Sequence, residues 1–295
     1  MNDNDFLARR FEQHRPHLRS VAYRMLGSLS EAEDAVQETW FRLSRSDASR
    51  VDNLPGWLTT VVGRVCLDLL RSRTARREAP LDTHVPDPVI ARADTADPEQ
   101  AALLADSVGL AMLVVLDTLP PAERLAFVLH DMFAVPFEEL APIVDRTPAA
   151  TRQLASRARR RVRGAAAPET DLTRQRVVVD AFLAASRSGD FDALVALLDP
   201  DITLRADVGA TGAGGFPGIQ HLVHGAPDVA RQALLFRGLA PFARPALING
   251  ALGLVTAPDG RLFSVLALTV VNDRITEINL LADPDRLRDL PVPPL

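Results

Sequence analysis

Leu7, Phe11, Leu18, Val21 and Met25 recur at spacings of three, four and seven with polar residues between them, which predicts an amphipathic helix closed by Gly27 as a C-cap. Ser30-Glu31-Ala32-Glu33 has the form of a capping box and should start a second helix running to about Leu43. Asn53 and Pro55 open a third, with Leu58, Val61, Val62, Val65 and Leu69 as its buried stripe. Leu103 to Leu116 is strongly apolar, Pro121 to Phe133 follows as a further helix, and Phe137 to Arg163 reads as two helices around a turn. Val177 to Leu198 carries two helical patterns, Val178, Phe182, Ala185 and Phe191, Leu194, Leu197, broken at Gly189-Asp190. The pattern then changes to β-rich runs at Ile202–Arg205, Ala246–Asn249, Leu262–Val271 and Ile275–Leu281. Asp259-Gly260 and Asn272-Asp273 are hairpin turns between three of them. Helices followed by a meander predict an α+β domain at the end of an otherwise helical chain.

Two stretches interrupt the periodicity. Ala79 to Gln100 holds four prolines and several acids, and Gly164 to Thr170 is GAAAPET. They divide the chain into an all-α domain at 1–78, a linker at 79–102, a second all-α domain at 103–164 and an α+β domain at 172–295. No fixed-period repeat is visible.

A composition of 47% hydrophobic and 24% charged residues is that of a globular protein and excludes wholesale disorder. The longest near-apolar run, Ser107 to Leu116, falls far short of the ~20 residues a membrane helix needs. The polar start MNDNDFLARR carries no apolar signal segment, and the single Cys66 forms no internal disulfide. A cytoplasmic protein without a membrane partner is expected. Cys66, between Val65 and Leu67, reads as a small core residue.

The net charge of −5 conceals clumping. All 33 basic residues are Arg, five of them in Arg64 to Arg77 and seven in Arg146 to Arg163, the latter with no acid between. Residues 168–295 carry 11 Arg against 15 acids. Local Arg clusters meet a phosphate backbone even on an acidic chain.

The second cluster has an organised setting. Leu140, Ala141, Ile143 and Val144 supply a short apolar helix, Asp145-Arg146-Thr147 the turn, Thr147 a cap and Pro148 the first position of the next helix. Ala150, Leu154, Ala158 and Val162 form the buried face of that helix. Arg152, Ser156, Arg159 and Arg163 lie opposite, flanked by Arg157, Arg160 and Arg161. This is the geometry of a helix-turn-helix that enters a DNA major groove, where Arg reads guanine or grips phosphate and Gln153 or Ser156 reaches base edges. Cap and turn chemistry favour that reading over a merely solvated charged face.

The helical domains resemble a bacterial sigma factor of the sigma-70 family, extracytoplasmic-function group. The match rests on Ala22-Tyr23-Arg24-Met25-Leu26-Gly27, Glu33-Asp34-Ala35-Val36-Gln37-Glu38-Thr39-Trp40, Pro55-Gly56-Trp57-Leu58-Thr59-Thr60, Leu119-Pro120, Glu123-Arg124, Phe137-Glu138-Glu139-Leu140-Ala141 and Arg157-Ala158-Arg159. The resemblance implies that the first domain docks on the RNA polymerase clamp through Asp34, Gln37, Glu38 and Trp40. It brings Arg64, Arg71, Arg73, Arg76 and Arg77 to the −10 element. The second domain would read the −35 element through Arg146, Thr147, Arg152, Gln153, Ser156, Arg157, Arg159, Arg160 and Arg163.

The third domain resembles a SnoaL-like domain of the nuclear-transport-factor-two-like fold, on Phe182-Leu183-Ala184-Ala185, Gly189-Asp190-Phe191, Leu194 and Leu197-Leu198-Asp199-Pro200-Asp201. Such an extension marks the SigJ-like subgroup, echoed also by Val85-Pro86-Asp87-Pro88-Val89, Asn249-Gly250-Ala251-Leu252-Gly253 and Asp283-Pro284-Asp285-Arg286-Leu287. Leu252 stands where that subgroup has proline, and Asp207-Val208-Gly209-Ala210-Thr211 departs from its Asp-Gly-Gly-Gly-Lys. The resemblance implies control from within the chain, with Pro86, Asp87, Pro88, Asn249, Gly250 and Gly253 as the regulatory contacts.

Asp207, His221 and His224 are the candidate acid–base groups of the third domain, but the Gly-rich stretch from Gly212 to Gly225 reads as a loop rather than a preorganised site. No metal-ligand spacing, phosphate loop or nucleophile motif is present. The expectation is a promoter-specificity subunit that is not an enzyme, with no catalytic residues, metal or cofactor. The alternative is a DNA-binding regulator fused to an active SnoaL-like enzyme or to a domain that senses a small-molecule ligand.

Overall fold

The structure, a computed structural model, describes residues 3–46, 53–76, 84–93, 109–163, 168–209 and 218–292. Two compact units emerge, 1–79 with 115–165 and 80–114 with 166–295. Residues 84–93, the described part of the expected linker, fall in the second of these units.

The first unit is helical. Helices α1 (Asp3–Leu26), α2 (Leu29–Arg45) and α3 (Leu54–Arg76) bury Leu18, Val21, Met25, Leu43, Leu58 and Val62 between them. Gly27 ends α1 at φ +69°, a left-handed conformation that glycine adopts without strain. Ser28, not Ser30, caps α2: its Oγ accepts from the Glu31 N–H, and the Ser30 hydroxyl meets the Ser28 hydroxyl instead. Ser28 and Glu31 share the three-residue offset of Ser30 and Glu33, so the sequence pattern admits both registers. Asn53 Oδ1 accepts from the Gly56 N–H and opens α3.

The unit continues through α4 (Leu110–Asp117), whose residues from Val115 on are assigned to it, α5 (Pro121–Phe127) with a π-helical turn at Val128–Met132, α6 (Phe137–Val144) and α7 (Pro148–Val162). Helix α3 packs on α5 and α6. A Cβ on Gly63 would lie 2.8 Å from Leu129 Cδ1, so this glycine sets how closely α3 approaches the turn after α5.

The second unit is α+β. Strands β1 (Ile90–Arg92), β2 (Leu198–Asp207), β3 (Leu222–His224), β4 (Ala243–Ile248), β5 (Ala251–Thr256), β6 (Ser264–Val271) and β7 (Arg274–Leu281) form one sheet in the order β1-β4-β5-β6-β7-β2-β3. Among the described residues only the β2–β7 pair is parallel. Asn272 and Asp273, at φ +49° and +61°, make the tight turn between β6 and β7. Helices α8 (Leu172–Ser188), α9 (Phe191–Leu197) and α10 (Ala226–Leu235) supply Val178, Phe182, Leu194 and Val229 to a core shared with Leu252, Leu254, Leu268 and Ile278. A five-residue helix α11 (Pro284–Arg288) follows the sheet.

Three strands differ from the sequence reading. β5 and β3 were not expected, because β5 is buried at almost every position and shows no alternation, and β3 is only three residues long. β1 lies inside the expected linker, and its pairing with β4 is a contact across ~150 residues that no local pattern reports.

Candidate nucleic-acid interface and the gripped segment

Helices α6 and α7 form the helix-turn-helix. Asp145 closes α6 at φ +55°, Thr147 Oγ1 accepts from the Ala150 N–H, and Pro148 takes the first position of α7. The buried face of α7 is Thr151, Ala155 and Ala158, one residue round from the predicted Ala150, Leu154, Ala158 and Val162, of which only Ala158 is fully buried. Arg146, Thr147, Arg152, Gln153, Ser156, Arg157, Arg160 and Arg163 are exposed, and Arg159 is half-buried.

The seven arginines are less unbalanced than their own stretch of sequence suggests. Arg152 pairs with Glu138 at 3.0 Å and lies over the Phe137 ring, Arg159 pairs with Asp131 at 2.6 Å, and Arg161 with Glu123 at 3.0 Å. These acids come from α5, the π-helical turn and α6, so the fold supplies counter-charges absent between Arg146 and Arg163. The Arg152–Glu138 pair is exposed on both sides and contributes at most about 1 kcal/mol, little enough for a nucleobase to replace Glu138. Arg152→Ala should cost about 1–3 kcal/mol of binding on a cognate promoter if it reads a base. Electrophoretic mobility shift on cognate and scrambled duplexes decides this, since equal losses on both assign Arg152 to phosphate.

The arginines of α3 diverge in role. Arg71 is exposed, whereas Arg73 donates to the Leu26 carbonyl at the C-terminal end of α1 and pairs with Glu31. Arg64 donates to the Pro142 carbonyl of α6 at 3.2 Å. Arg76 ends α3, its side chain being undescribed, and Arg77 lies outside the described residues. Beside this cluster sits a group that sequence reasoning missed. Arg124, 4% exposed, donates to the Met25 and Asp117 carbonyls and pairs with the Asp117 carboxylate at 2.9 Å. Burial lowers its pKa, and the Asp117 charge offsets part of that.

On α2, Asp34 and Gln37 are exposed, Glu38 is half-buried and engaged by Arg42, and Trp40 packs against Phe11 at 5.1 Å between ring centroids. Gln37 and Trp40 line a groove together with Arg15 and Glu33, but Asp34 and Glu38 are not part of it. Phe41, 44% exposed and off the buried stripe, presents an aromatic surface next to Trp40 that the periodicity argument passed over.

The second unit brings the expected regulatory residues together around residues 84–92. Asn249, at φ +50°, accepts from the Val89 N–H through Oδ1 at 3.0 Å and donates its own N–H to the Val89 carbonyl at 2.8 Å. Gly250 completes this turn at φ +82°. On Gly253 a Cβ would lie 2.4 Å from the Leu266 carbonyl oxygen, so β5 and β6 approach too closely there for any side chain. Leu252, where the SigJ-like pattern has proline, donates its N–H to Gln175 Oε1 at 2.6 Å, a bond proline lacks the hydrogen to make. Pro86, Asp87 and Pro88 are buried.

Arg286 ties this segment down. It donates to the Val85 carbonyl and to Asp87, and to Asp207 Oδ2 at 2.6 Å. Asp207 also accepts from the Val85 N–H at 3.2 Å and lies 3.4 Å from His84 Nδ1. Burial pushes the Asp207 pKa up, but the His84 hydrogen bond, the Arg286 charge and the Val85 N–H outweigh it and hold the carboxyl below its usual value. Because the folded value is the lower one, this contribution to stability is present above about pH 4 and is lost as pH falls through the folded value. Protection of the Val85 amide against hydrogen exchange, taken relative to the unstructured rate at each pH, should therefore fall as pH drops below about 4.

Asp207 is thus occupied as an anchor. His221 meets the Ala206 carbonyl and His224 the Thr203 hydroxyl, both exposed, with His224 in strand β3 rather than a loop. Ala210 to Pro217, including most of the predicted Gly-rich loop, lies outside the described residues. Among the described residues no group of His, Cys, Asp or Glu is placed to hold a metal ion, and no helix is long and apolar enough to cross a membrane. Cys66 is fully buried, and burial pushes its thiol pKa up, so it stays protonated and unreactive.

Comparison with known proteins places this arrangement in a family. The sigma-70 region 2 model matches residues 10–76, and the sigma-70 region 4 model matches residues 110–162. The chain is 40% identical over 297 residues to the ECF RNA polymerase sigma factor SigJ of Mycobacterium tuberculosis (strain ATCC 25618 / H37Rv), covering 96% of this chain and 93% of that protein. It is 35% identical to the probable ECF RNA polymerase sigma factor SigI of Mycobacterium tuberculosis (strain CDC 1551 / Oshkosh), with 98% of each chain covered. The crystal structure of Mycobacterium tuberculosis SigJ matches 96% of this chain and 99% of its own, at 38% identity and a TM-score of 0.75. The chain belongs to the extracytoplasmic-function sigma factors of the sigma-70 family. Within that family it is of the SigJ-like kind, in which an α+β domain follows region 4. Sigma factors give RNA polymerase its promoter and perform no chemistry themselves.

Proposed function

We propose that this sigma factor is held in a closed state by its own C-terminal domain, which grips the segment joining region 2 to region 4. One observation carries the reading: β1, between the two promoter-reading regions in sequence, is a strand of the C-terminal sheet, and the residues just before it are held by Asn249 at Val89 and by Arg286 at Val85 and Asp87. In the open state Asp34, Gln37, Glu38, Trp40 and the neighbouring Phe41 face the polymerase, and Arg64, Arg71, Arg73, Arg76 and Arg77 approach the −10 element. Arg146, Thr147, Arg152, Gln153, Ser156, Arg157, Arg159, Arg160 and Arg163 face the −35 element.

Distances support closure. The two elements lie ~25 base pairs apart, about 85 Å along B-DNA at about 3.4 Å per pair. The α3 arginines from Arg64 to Arg76 spread over about 18 Å and α7 is about 23 Å long at 1.5 Å per residue. Arg64 meets Pro142 at 3.2 Å and Arg124 meets the Met25 carbonyl at 2.9 Å, so regions 2 and 4 must separate before both elements are read at once. RNA polymerase, binding the separated form better, shifts the population toward it. The C-terminal domain acts as a regulator rather than a catalyst, since Asp207 is engaged by Arg286 and the two histidines face solvent.

Fluorescence energy transfer tests this with dyes at Ser44→Cys and Ala149→Cys, both exposed sites, while the buried Cys66 stays unlabelled. Transfer should be high in the free chain and fall when core polymerase is added. Equal transfer in both states would refute closure.

A further inference from the structure

We propose that Phe137 and His130 are positioning residues for base recognition, forming a stacked brace behind Arg152 on the outer face of α7. The brace rests on the reading of α7 as the −35 interface. Arg152 lies over the Phe137 ring, its guanidinium carbon 5.5 Å from the ring centroid, and its Nη2 donates to Glu138 Oε1 at 3.0 Å. The His130 imidazole stacks on the Phe137 ring in turn, with 3.7 Å between centroids and 28° between planes. The backbone fixes where His130 stands. It lies in the π-helical turn Val128–Met132, which is followed by Ala134 at φ +56° and closed by the Val135 N–H on the Leu129 carbonyl. The left-handed conformation is one that alanine adopts at a cost, and π-helical turns are frequent at functional sites. His130 Nδ1 donates to the Val135 carbonyl at 2.9 Å, which sets the plane of the imidazole.

Phe137 and His130 are half-buried, and the buried core of α6 is Leu140, Ala141, Ile143 and Val144 without Phe137. The ring therefore serves Arg152 more than the packing of the helix-turn-helix. An arginine that reads a base gives up the rotamer freedom of a long side chain, and a guanidinium already held has less to give up. A ring beneath its face consumes none of its five N–H donors. Glu138 engages Nη2, so other in-plane donors stay available for the O6 and N7 acceptors of guanine. Arg159 and Arg161 also pair with acids, yet among the described residues neither has a ring beneath it.

Run-off transcription by core polymerase with the full chain tests this, using a promoter library randomised over the −35 element and sequencing the transcribed templates. Arg152→Ala should flatten the base preference at one position. Phe137→Leu should weaken the preference at that same position about two- to fivefold, the strength of a cation–π contact at an exposed site, and leave the other positions unchanged. Phe137→Tyr, which keeps the ring, should retain it. His130→Ala should weaken the same position, and adding it to Phe137→Leu should change nothing further, because His130 acts through the ring. Circular dichroism selects the variants that fold, with Phe137→Met as the second ringless one. A folded Phe137→Leu or Phe137→Met chain with unchanged preference, or a loss spread evenly over every position, would overturn the brace while leaving Arg152 as the reader. Preference that survives Arg152→Ala at every position would instead remove the reading on which the brace rests.

Discussion

Arg124→Leu is expected to lower the stability of the helical unit by about 3–5 kcal/mol, the usual cost of removing one partner of a buried ion pair. The guanidinium is 4% exposed, donates to two carbonyls and faces the Asp117 carboxylate, itself 8% exposed. Leucine keeps the bulk but strands that carboxylate in a dry site. Adding Asp117→Leu should recover a large part of the loss, because an apolar pair in place of a buried ionic one is often neutral. Urea unfolding followed by circular dichroism reads both effects as shifts in midpoint at constant slope. A single variant as stable as the unmodified chain would show that Arg124 is solvated and not clamped. The residue also joins the two promoter-reading regions, since Met25 lies in the region 2 match and Arg124 in the region 4 match.

The second large effect is expected at Arg286. Its side chain is 22% exposed and its partners Asp87 and Asp207 are 12% and 15% exposed, so Arg286→Ala leaves two nearly buried carboxylates without their common cation. The expected cost is about 2–3 kcal/mol, less than for Arg124 because solvent reaches the group. Backbone amides of Val85 and Val89 should lose hydrogen-exchange protection, as their bonds to Asp207 and Asn249 open with the segment. Promoter duplex should then bind the free chain several-fold more tightly at constant salt. Unchanged exchange at both amides would show that Arg286 is not what holds the segment.

How much of this was legible in the sequence follows from the range of the interactions. Helices α1 to α3 and the helix-turn-helix were readable because spacing, caps and the Gly27 and Pro148 signals all act within a turn or two. Errors of one register, Ser28 for Ser30 and Ala155 for Leu154, arose where two residues satisfied the same local rule. Strand β1 was hidden because Ile90-Ala91-Arg92 follows the extended, proline-stiffened Val85-Pro86-Asp87-Pro88-Val89, and only a distant strand makes those three residues part of a sheet. The charge balance of α7 was misjudged for the same reason, its acids arriving from other helices. Arg124 was quoted in the Glu123-Arg124 motif of the resemblance, but its burial against Met25 and Asp117 depends on contacts from α1 and α4 that no local pattern reports.

The central claim is that the grip on residues 84–92 restrains the sigma factor. Run-off transcription with core polymerase from the promoter upstream of its own gene tests it most directly, comparing the full chain with Arg286→Ala at equal folded concentration. The account predicts transcript that depends on the added chain, with Arg286→Ala giving several-fold more. Equal transcript from the two proteins would contradict it.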